Sequence, residues 1–426
     1  MRISSRLIEI SLRDVDTNVR INALKALALL DKTGVLQDED DDQRNRVVRV
    51  VFDQEPRVRR AVGEFVKGLL AEKVEGLEST WSAVKGTKKK RGSKINEKGM
   101  GTYLGWKALA SMLVTTYRDL DSREAGTSTA PSIPVSVSMG RATAAVEALR
   151  GSIEGLSNWH ELVDYLLLDH STGDQDMWLL GDEEEDFMIQ VLIACIKADA
   201  AEDVSPPLLL LMVEADMQED NKDEQTKALM KVYPRLLSKH QADVGRMSAL
   251  LMIPSQMNLG LYLDMRMTNV SFSRPDLKSI ADEQAYDSLW DDIIKQFLQH
   301  TDRNVLTSAI QAINELTLNT SLANNNTTKL AELTESLFTS LRDAIDGQDV
   351  SSMSMDEEEI ASIEAILFRL TLLEKSRDIT EVMEDEEGGQ SSGWEIVCAF
   401  AERGELPYKD EAKVSPLSRL WQTSYS

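Results

Sequence analysis

The sequence predicts an all-α protein built from stacked helical hairpins, and three observations support this fold class. First, the composition favours helices: aromatic residues make up 5% of the 426 residues, and there are only 10 Pro and 22 Gly. Sheet proteins with many tight turns are richer in these residues. Second, apolar residues recur three or four positions apart over most of the chain. Third, a short pattern recurs at about the period of helical-hairpin repeats.

The recurring pattern combines an acidic residue, a Val three positions later and an apolar residue one helical turn after that Val. Its copies are Asp16, Val19 and Ala23; Glu55, Val58 and Val62; and Asp302, Val305 and Ala309. The first two valines are 39 residues apart, which fits the ~40-residue period of HEAT and armadillo repeats. The acidic residue is expected to cap a helix, and the valines to pack between helices. Arg20 and Arg59, which directly follow two of these valines, are predicted to be structural. At this period the chain would hold about nine or ten repeats.

Apolar stripes locate further helices. They comprise Trp106, Leu109, Leu113 and Tyr117; Trp290, Ile293 and Phe297; and Ile360, Ile363, Leu367 and Leu370. The run from Phe187 to Cys195 is apolar on most faces and predicts a buried inner helix. Cys195 is therefore interpreted as a buried thiol, in preference to a disulfide or metal ligand.

Composition divides the chain into three parts. Residues 1–120 are predicted to form HEAT repeats with a basic loop at 85–98. Residues 121–141 are rich in Ser, Thr and Pro and predict a flexible loop. Residues 142–426 are predicted to form further repeats joined by acidic connections. Those acidic runs are interpreted as solvated helix caps and loops, with acidic docking sites as the alternative.

The sequence contains no pattern that indicates catalysis. Its four His residues are scattered without metal-ligand spacing, and there is no Gly-rich phosphate loop, G-x-S-x-G or H-E-x-x-H motif. We therefore expect a non-enzymatic scaffold without a cofactor or a bound metal. No apolar stretch approaches the ~20 residues that cross a bilayer, so no membrane contact is expected.

The strongest local signal is the stretch KGTKKKRGSK, which begins at Lys85. The chain has a formal net charge of -25, yet the residues from 85 to 98, here called the basic run, contain seven cations and only Glu97 as an acid. The cations are Lys85, Lys88, Lys89, Lys90, Arg91, Lys94 and Lys98. Three interpretations stay open: contact with DNA phosphates, a nuclear-import signal, and a solvated loop without a binding role.

Four collinear segments resemble the stromal-antigen (STAG or SA) subunits of cohesin. They are residues 38–72, 156–167, 233–254 and 289–316. The first contains the family's PxVxxAxGEFxxxxL register as Pro56, Val58, Gly63, Glu64, Phe65 and Leu69. The resemblance implies a curved HEAT-repeat solenoid in the nucleus that binds the kleisin subunit along its length and supports sister-chromatid cohesion. Family members are considerably longer, and this chain resembles their middle-to-C-terminal part. The family's groove for short aromatic peptide motifs lies mainly before that part.

The resemblance also favours the DNA interpretation of the basic run, because family members tend to carry a basic loop after the Gly-Glu-Phe helix. Double-stranded DNA would then be bound without base readout, and Arg57, Arg59, Arg60 and Lys67 would extend the patch if they face the same side. The cohesin loader and other cohesin regulators are further partners implied by the family. The residues that contact kleisin leave no local motif. The alternative function is an importin-like HEAT adaptor whose acidic surface holds basic cargo.

Overall fold

The computed structural model describes residues 3–36, 41–87, 97–124, 135–168, 178–202, 214–261, 275–318, 323–345, 350, 355–384 and 391–405. Within these ranges the chain is all α-helical, with seventeen α-helices, three short 3-10 helices and no β-strand. The chain divides into two compact units, residues 1–222 and 223–426, and the boundary falls within one long helix.

Among its described residues, the first unit contains nine complete helices. They are α1 (Ile3–Arg13), α2 (Thr17–Lys32), α3 (Asp41–Val48), α4 (Pro56–Ala61), α5 (Gly63–Thr87), α6 (Glu97–Glu124), α7 (Val135–Leu149), α8 (Trp159–Leu166) and α9 (Asp182–Glu202). The helices α1 and α2 pair as a hairpin, as do α5 and α6, and α2 packs against both α4 and α5. The helix α9 packs against α6, α7 and α8.

The remaining helices are the long helix within which the boundary falls and the helices of the second unit. They are α10 (Glu214–His240), α11 (Val244–Leu250), α12 (Pro275–Gln299), α13 (Arg303–Thr317), α14 (Ala323–Ile345), α15 (Glu357–Ser376), α16 (Thr380–Glu384) and α17 (Gly393–Glu405). The helix α13 lies at the centre of this unit, because it packs against α11, α12, α14 and α15. Eight of its side chains are buried, among them Val305, Ile313 and Leu316.

The predicted acidic caps are present in two of the three repeat copies. A carboxylate oxygen of Asp16 accepts hydrogen bonds from the backbone N–H groups of Asn18 (2.7 Å) and Val19 (3.3 Å). Asp302 caps α13 through the same two positions, at 2.8 and 3.2 Å. Glu55 makes no such bond, because the preferred N-caps are the shorter side chains of Ser, Thr, Asp and Asn.

Two of the three repeat valines are buried as predicted, and the third prediction is wrong. Val58 and Val305 are fully buried, whereas Val19 remains 42% exposed. The buried face of α2 is narrow and follows Leu24 and Leu27. At 3.6 residues per turn, Val19 lies roughly 110° around the helix from the centre of that face. The repeat pattern therefore locates α2 but not the width of the face that it buries.

The helix α9 confirms the predicted inner helix. Every side chain from Phe187 to Ile196 is at least nine-tenths buried. Cys195 is a buried free thiol as expected, and its burial raises its pKa to about 12. Cys398, on α17, is also a free thiol but is exposed.

Helices occupy more of the two predicted loops than the sequence indicated. Lys85 belongs to α5, and Lys98 to α6. Of residues 121–141, Asp121–Glu124 are the last turn of α6, and α7 begins at Val135, so that Arg141 donates a hydrogen bond to Asp121 at 2.8 Å. Residues 125–134 lie outside the described residues. In addition, residues 142–222 cluster with the first unit and not with the segment that follows.

Candidate nucleic-acid interface

The basic run joins α5 to α6, the two helices of one hairpin. The helices pack against each other, and a Cβ added at Gly101 of α6 would lie 3.7 Å from Glu78 Oε1 of α5. Gly101 therefore lies beside Glu78, near the ends of the two helices that the basic run connects. Lys88, Lys89, Lys90, Arg91 and Lys94, and the side chains of Lys85 and Lys98, lie outside the described residues.

Arg59 and Arg60, predicted as extensions of the basic run, share one carboxylate. Arg59 is 13% exposed, donates hydrogen bonds to the carbonyl of Asp53 (2.7 Å) and forms an ion pair with Glu147 of α7. Arg60 is 65% exposed and contacts the same carboxylate at 2.9 Å. Burial alone would raise the pKa of Glu147, but the hydrogen bonds from the two arginines outweigh it and lower this pKa. Arg59 therefore connects α4 to α7, while Arg60 keeps much of its surface in solvent.

Arg57 and Lys67 are the other two candidates at this end of α5. Arg57 is exposed and donates a hydrogen bond to Asn18 Oδ1 at 3.2 Å. Lys67 is exposed beside Glu64. The hydrogen bond from Lys32 is the main cause that lowers the pKa of the Glu64 carboxyl, and the positive charge of Lys67 adds to it. Both cations are accessible to a ligand.

The structure does not bring these four cations next to the basic run. Lys67 and Lys85 lie on the same continuous helix, 18 residues apart, which is about 27 Å at 1.5 Å per residue. Arg57, Arg59 and Arg60 lie beyond Lys67, on α4. The two groups are therefore separate positive regions near opposite ends of α5, and a ligand that touches both has to be long.

Many other cations of the first unit are used in ion pairs between helices. Arg44 is 3% exposed and contacts Asp31 at 2.9 Å and Glu72 at 2.5 Å, which joins α3 to α2 and α5. Arg20 pairs with Asp53 and donates to the carbonyl of Ser11 at 2.9 Å. The structural role predicted for Arg20 is thus confirmed. These pairs take cations away from the surface.

One group of exposed cations was missed in the sequence analysis. Lys227, Lys231, Arg235 and Lys239 follow one another at four-residue intervals on α10, and all four are exposed. We call this group the α10 stripe. A search for cations at i, i+4 spacing, in addition to contiguous runs of Lys and Arg, would have found it.

Within the described residues, no group of three or more His, Cys, Asp or Glu side chains is placed to hold a metal ion. Within the same ranges, no helix combines the length and the apolar character that a bilayer-spanning segment requires.

Helices that pair as hairpins and pack against neighbouring helices are typical of helical-repeat proteins, the class that includes the HEAT repeats. The comparison with protein families identifies the particular family. The model of the cohesin subunit SCC3/SA HEAT-repeats domain matches residues 145–273 and 276–386, which is more than half of the chain. The chain therefore belongs to the SCC3/SA family of cohesin subunits. Three of the four segments that resemble this family lie within the matched ranges, and residues 38–72 precede them.

A similar curated protein is cohesin subunit SA-1 of Xenopus laevis. It is 25% identical to this chain over 244 residues, which cover 54% of the chain and 17% of the relative. The alignment thus spans less than a fifth of the length of that relative.

Proposed function

We propose that this chain is a non-enzymatic scaffold of cohesin that binds the kleisin subunit and contacts double-stranded DNA in the nucleus. The observation that carries this proposal is the family match, which extends from α7 to α16 and so includes helices of both units. Neither unit needs a catalytic centre for this role. The same membership supports association with chromatin and a role in sister-chromatid cohesion.

Kleisin would bind as an extended segment along several helices. Stacked helical hairpins offer a long surface made of successive helix faces, and elongated peptides bind such surfaces through many small contacts. The packed helices of each unit supply a surface of this kind. This mode of binding also explains why the sequence contains no short motif for the partner.

Overlapping kleisin peptides test this mode of binding. We expect two or more non-adjacent peptides to bind the full chain with micromolar affinity, each more weakly than a longer kleisin fragment that contains them, because linked contacts raise the affinity. Fluorescence anisotropy with labelled peptides measures this. If no peptide and no longer fragment binds at micromolar concentration, the scaffold proposal is wrong for this part of the family.

The proposed DNA contact uses the basic run. In a chain with a net charge of -25, a polyanion is repelled except where the local charge is reversed, and the basic run supplies a local net charge of +6. Lysine and arginine side chains bind phosphates without reading bases. Arg57, Arg60 and Lys67 would form a second contact for a duplex that extends along α5.

A six-site variant with Lys85, Lys88, Lys89, Lys90, Arg91 and Lys94 replaced by Ala tests this contact. Each neutralised phosphate contributes about 0.9 to the slope of log affinity against log salt, so three engaged side chains give a slope near 3. We expect the variant to bind every duplex sequence more weakly, with a flatter slope and a nearly unchanged melting temperature. Mobility-shift titrations at two salt concentrations measure this. Equal affinity and equal slope for the variant and the wild type would exclude the basic run as a DNA contact. Normal DNA binding by a variant that no longer enters the nucleus would favour an import signal.

An importin-like adaptor is the second candidate, and the net charge favours it, since an acidic surface attracts basic cargo. The family match does not support it. Binding of a basic import peptide in preference to kleisin would reverse this ranking.

A further inference from the structure

The α10 stripe is a local reversal of charge within the second unit. It contains Lys227, Lys231, Arg235 and Lys239, whose side chains lie on the exposed face opposite the buried residues Leu229, Tyr233 and Leu236. The four positions span about 18 Å along the helix axis at 1.5 Å per residue. Glu224 is exposed at the N-terminal end of the stripe, and the neighbouring Asp223 is half-buried. From Lys227 to Lys239 the helix carries four cations and no carboxylate.

The architecture of α10 does not explain this arrangement. Lys231 and Arg235 have no acidic residue three or four positions away on either side, so they form no stabilising pair within the helix. Like charges at i, i+4 instead oppose helix formation. The helix dipole favours cations only in the last turn, which explains Lys239 but not Lys227 or Lys231. Among the ion pairs of the described residues, none includes Lys227, Lys231 or Arg235.

We propose that the α10 stripe is a second binding surface for the phosphate backbone of duplex DNA, separate from the basic run. Phosphate contacts require exposed cations and little else, and the stripe consists of cations with small or polar neighbours such as Ala228 and Ser238. An acidic peptide generally needs large apolar or aromatic anchors in addition. The large apolar side chains exposed among the described residues of the second unit are Val244, Leu318 and Trp394, and none of them lies on α10. Charge complementarity therefore favours DNA.

A triple variant, Lys227→Gln, Lys231→Gln and Arg235→Gln, tests this surface in the full chain. Glutamine keeps the helix propensity and removes only the charge. The matched control is Lys295→Gln, Arg303→Gln and Lys375→Gln, which changes the net charge equally at exposed positions of the same unit. Of these, Arg303 also loses an ion pair with Glu364, and a solvent-accessible pair of this kind contributes only about 0 to 1 kcal/mol to stability. Both variants should melt close to the wild type, and removal of like-charge neighbours should raise the melting temperature of the α10 variant slightly.

The measurement is fluorescence anisotropy with a labelled duplex of about 30 base pairs, between about 50 and 200 mM salt. We expect the α10 variant to bind roughly tenfold more weakly at the lower salt concentration and its salt slope to fall by about 2 to 3, while the control variant matches the wild type. Equal affinity and slope for the α10 variant and the control would overturn the proposal. Equal losses in both variants would also overturn it, because the effect would then come from net charge.

The test also separates this surface from the basic run. If the six-site variant loses DNA binding and the α10 variant keeps the full affinity, the basic run is the DNA surface and the α10 stripe is not. If the α10 variant is impaired and the six-site variant is not, the α10 stripe is supported and the DNA contact proposed above is wrong. The same titration with labelled poly-glutamate tests the choice of ligand. If the α10 variant loses affinity for poly-glutamate but keeps its affinity for DNA, DNA is not the ligand of the α10 stripe.

Discussion

At the scale of single residues, buried cations join helices that are distant in sequence. The guanidinium of Arg369, on α15, is buried and donates hydrogen bonds to the carbonyls of Phe297 (2.8 Å), Leu298 (2.9 Å) and His300 (2.7 Å). It thereby satisfies carbonyl groups that the end of α12 leaves without helical partners. Arg44 has the corresponding role between α2, α3 and α5. These contacts fix how neighbouring helices pack.

Residue-scale predictions from the sequence succeeded where the repeat valine lies on the buried face of its helix. Val305 belongs to the wide buried face of α13, and Val58 is the buried residue of the short helix α4, which packs against α2 and α7. Val19 shares their spacing but lies away from the buried face of α2. The partners of Arg44 and Arg369 could not be predicted, because such contacts depend on which helices meet in space.

Replacement of Val58 by Asp should destabilise the first unit by about 3 kcal/mol or more, because it buries a charge without a partner. The matched control is Val19→Asp, at the 42% exposed position of the same pattern, which should change stability by less than about 0.5 kcal/mol. Thermal or urea unfolding measures both. An unchanged midpoint for Val58→Asp would contradict the assignment of this residue to the core.

At the scale of helices, the Gly-Glu-Phe segment at the start of α5 connects three elements. A Cβ at Gly63 would lie 2.6 Å from Ser152 Oγ and 3.0 Å from the carbonyl oxygen of Ala148, so glycine permits the close approach of α5 to the end of α7. Glu64 contacts Lys32 of α2 at 2.8 Å, and Phe65 is fully buried. The Gly-Glu-Phe segment, which carries the family resemblance, thus has a packing function.

Helix positions were easier to predict than helix lengths. The apolar stripes at Trp106 and Trp290 lie in helices, as predicted. The helices α5 and α6 contain 25 and 28 residues, which is longer than a ~40-residue hairpin allows. The repeat period alone therefore does not predict the length of this hairpin.

Replacement of Gly63 by Ala should lower the stability of the first unit by about 1 to 3 kcal/mol, because the added methyl group meets a backbone carbonyl that cannot move easily. The control lies in the same helix: nothing lies within 4 Å of a Cβ at Gly76, so Gly76→Ala should stabilise it by up to about 1 kcal/mol. Opposite shifts of the unfolding midpoint are expected. Stabilisation by both substitutions would show that α5 and α7 can move apart without loss of stability, and it would contradict the packing role of Gly63.

At the scale of the whole molecule, the chain combines the SCC3/SA family fold with a strongly acidic composition and a few local concentrations of positive charge. The all-α fold and the family could be predicted, because the helical period and the collinear segments are distributed over the chain. The division into two units at residue 222 was not predicted, because the acidic run at 218–225 that marks the place was interpreted as one of several acidic connections or helix starts. The α10 stripe could have been predicted from its spacing.

We propose that the chain is a kleisin-binding scaffold of cohesin, and co-purification with a kleisin fragment is the decisive measurement. The full chain and a tagged kleisin fragment would be expressed together, and size-exclusion chromatography with multi-angle scattering would give the mass of the product. The control is the destabilised Val58→Asp variant beside the neutral Val19→Asp variant, which separates loss of folding from loss of binding. A single complex of one chain and one kleisin fragment that survives dilution to micromolar concentration is expected. Separate elution of the two folded components would contradict the claim.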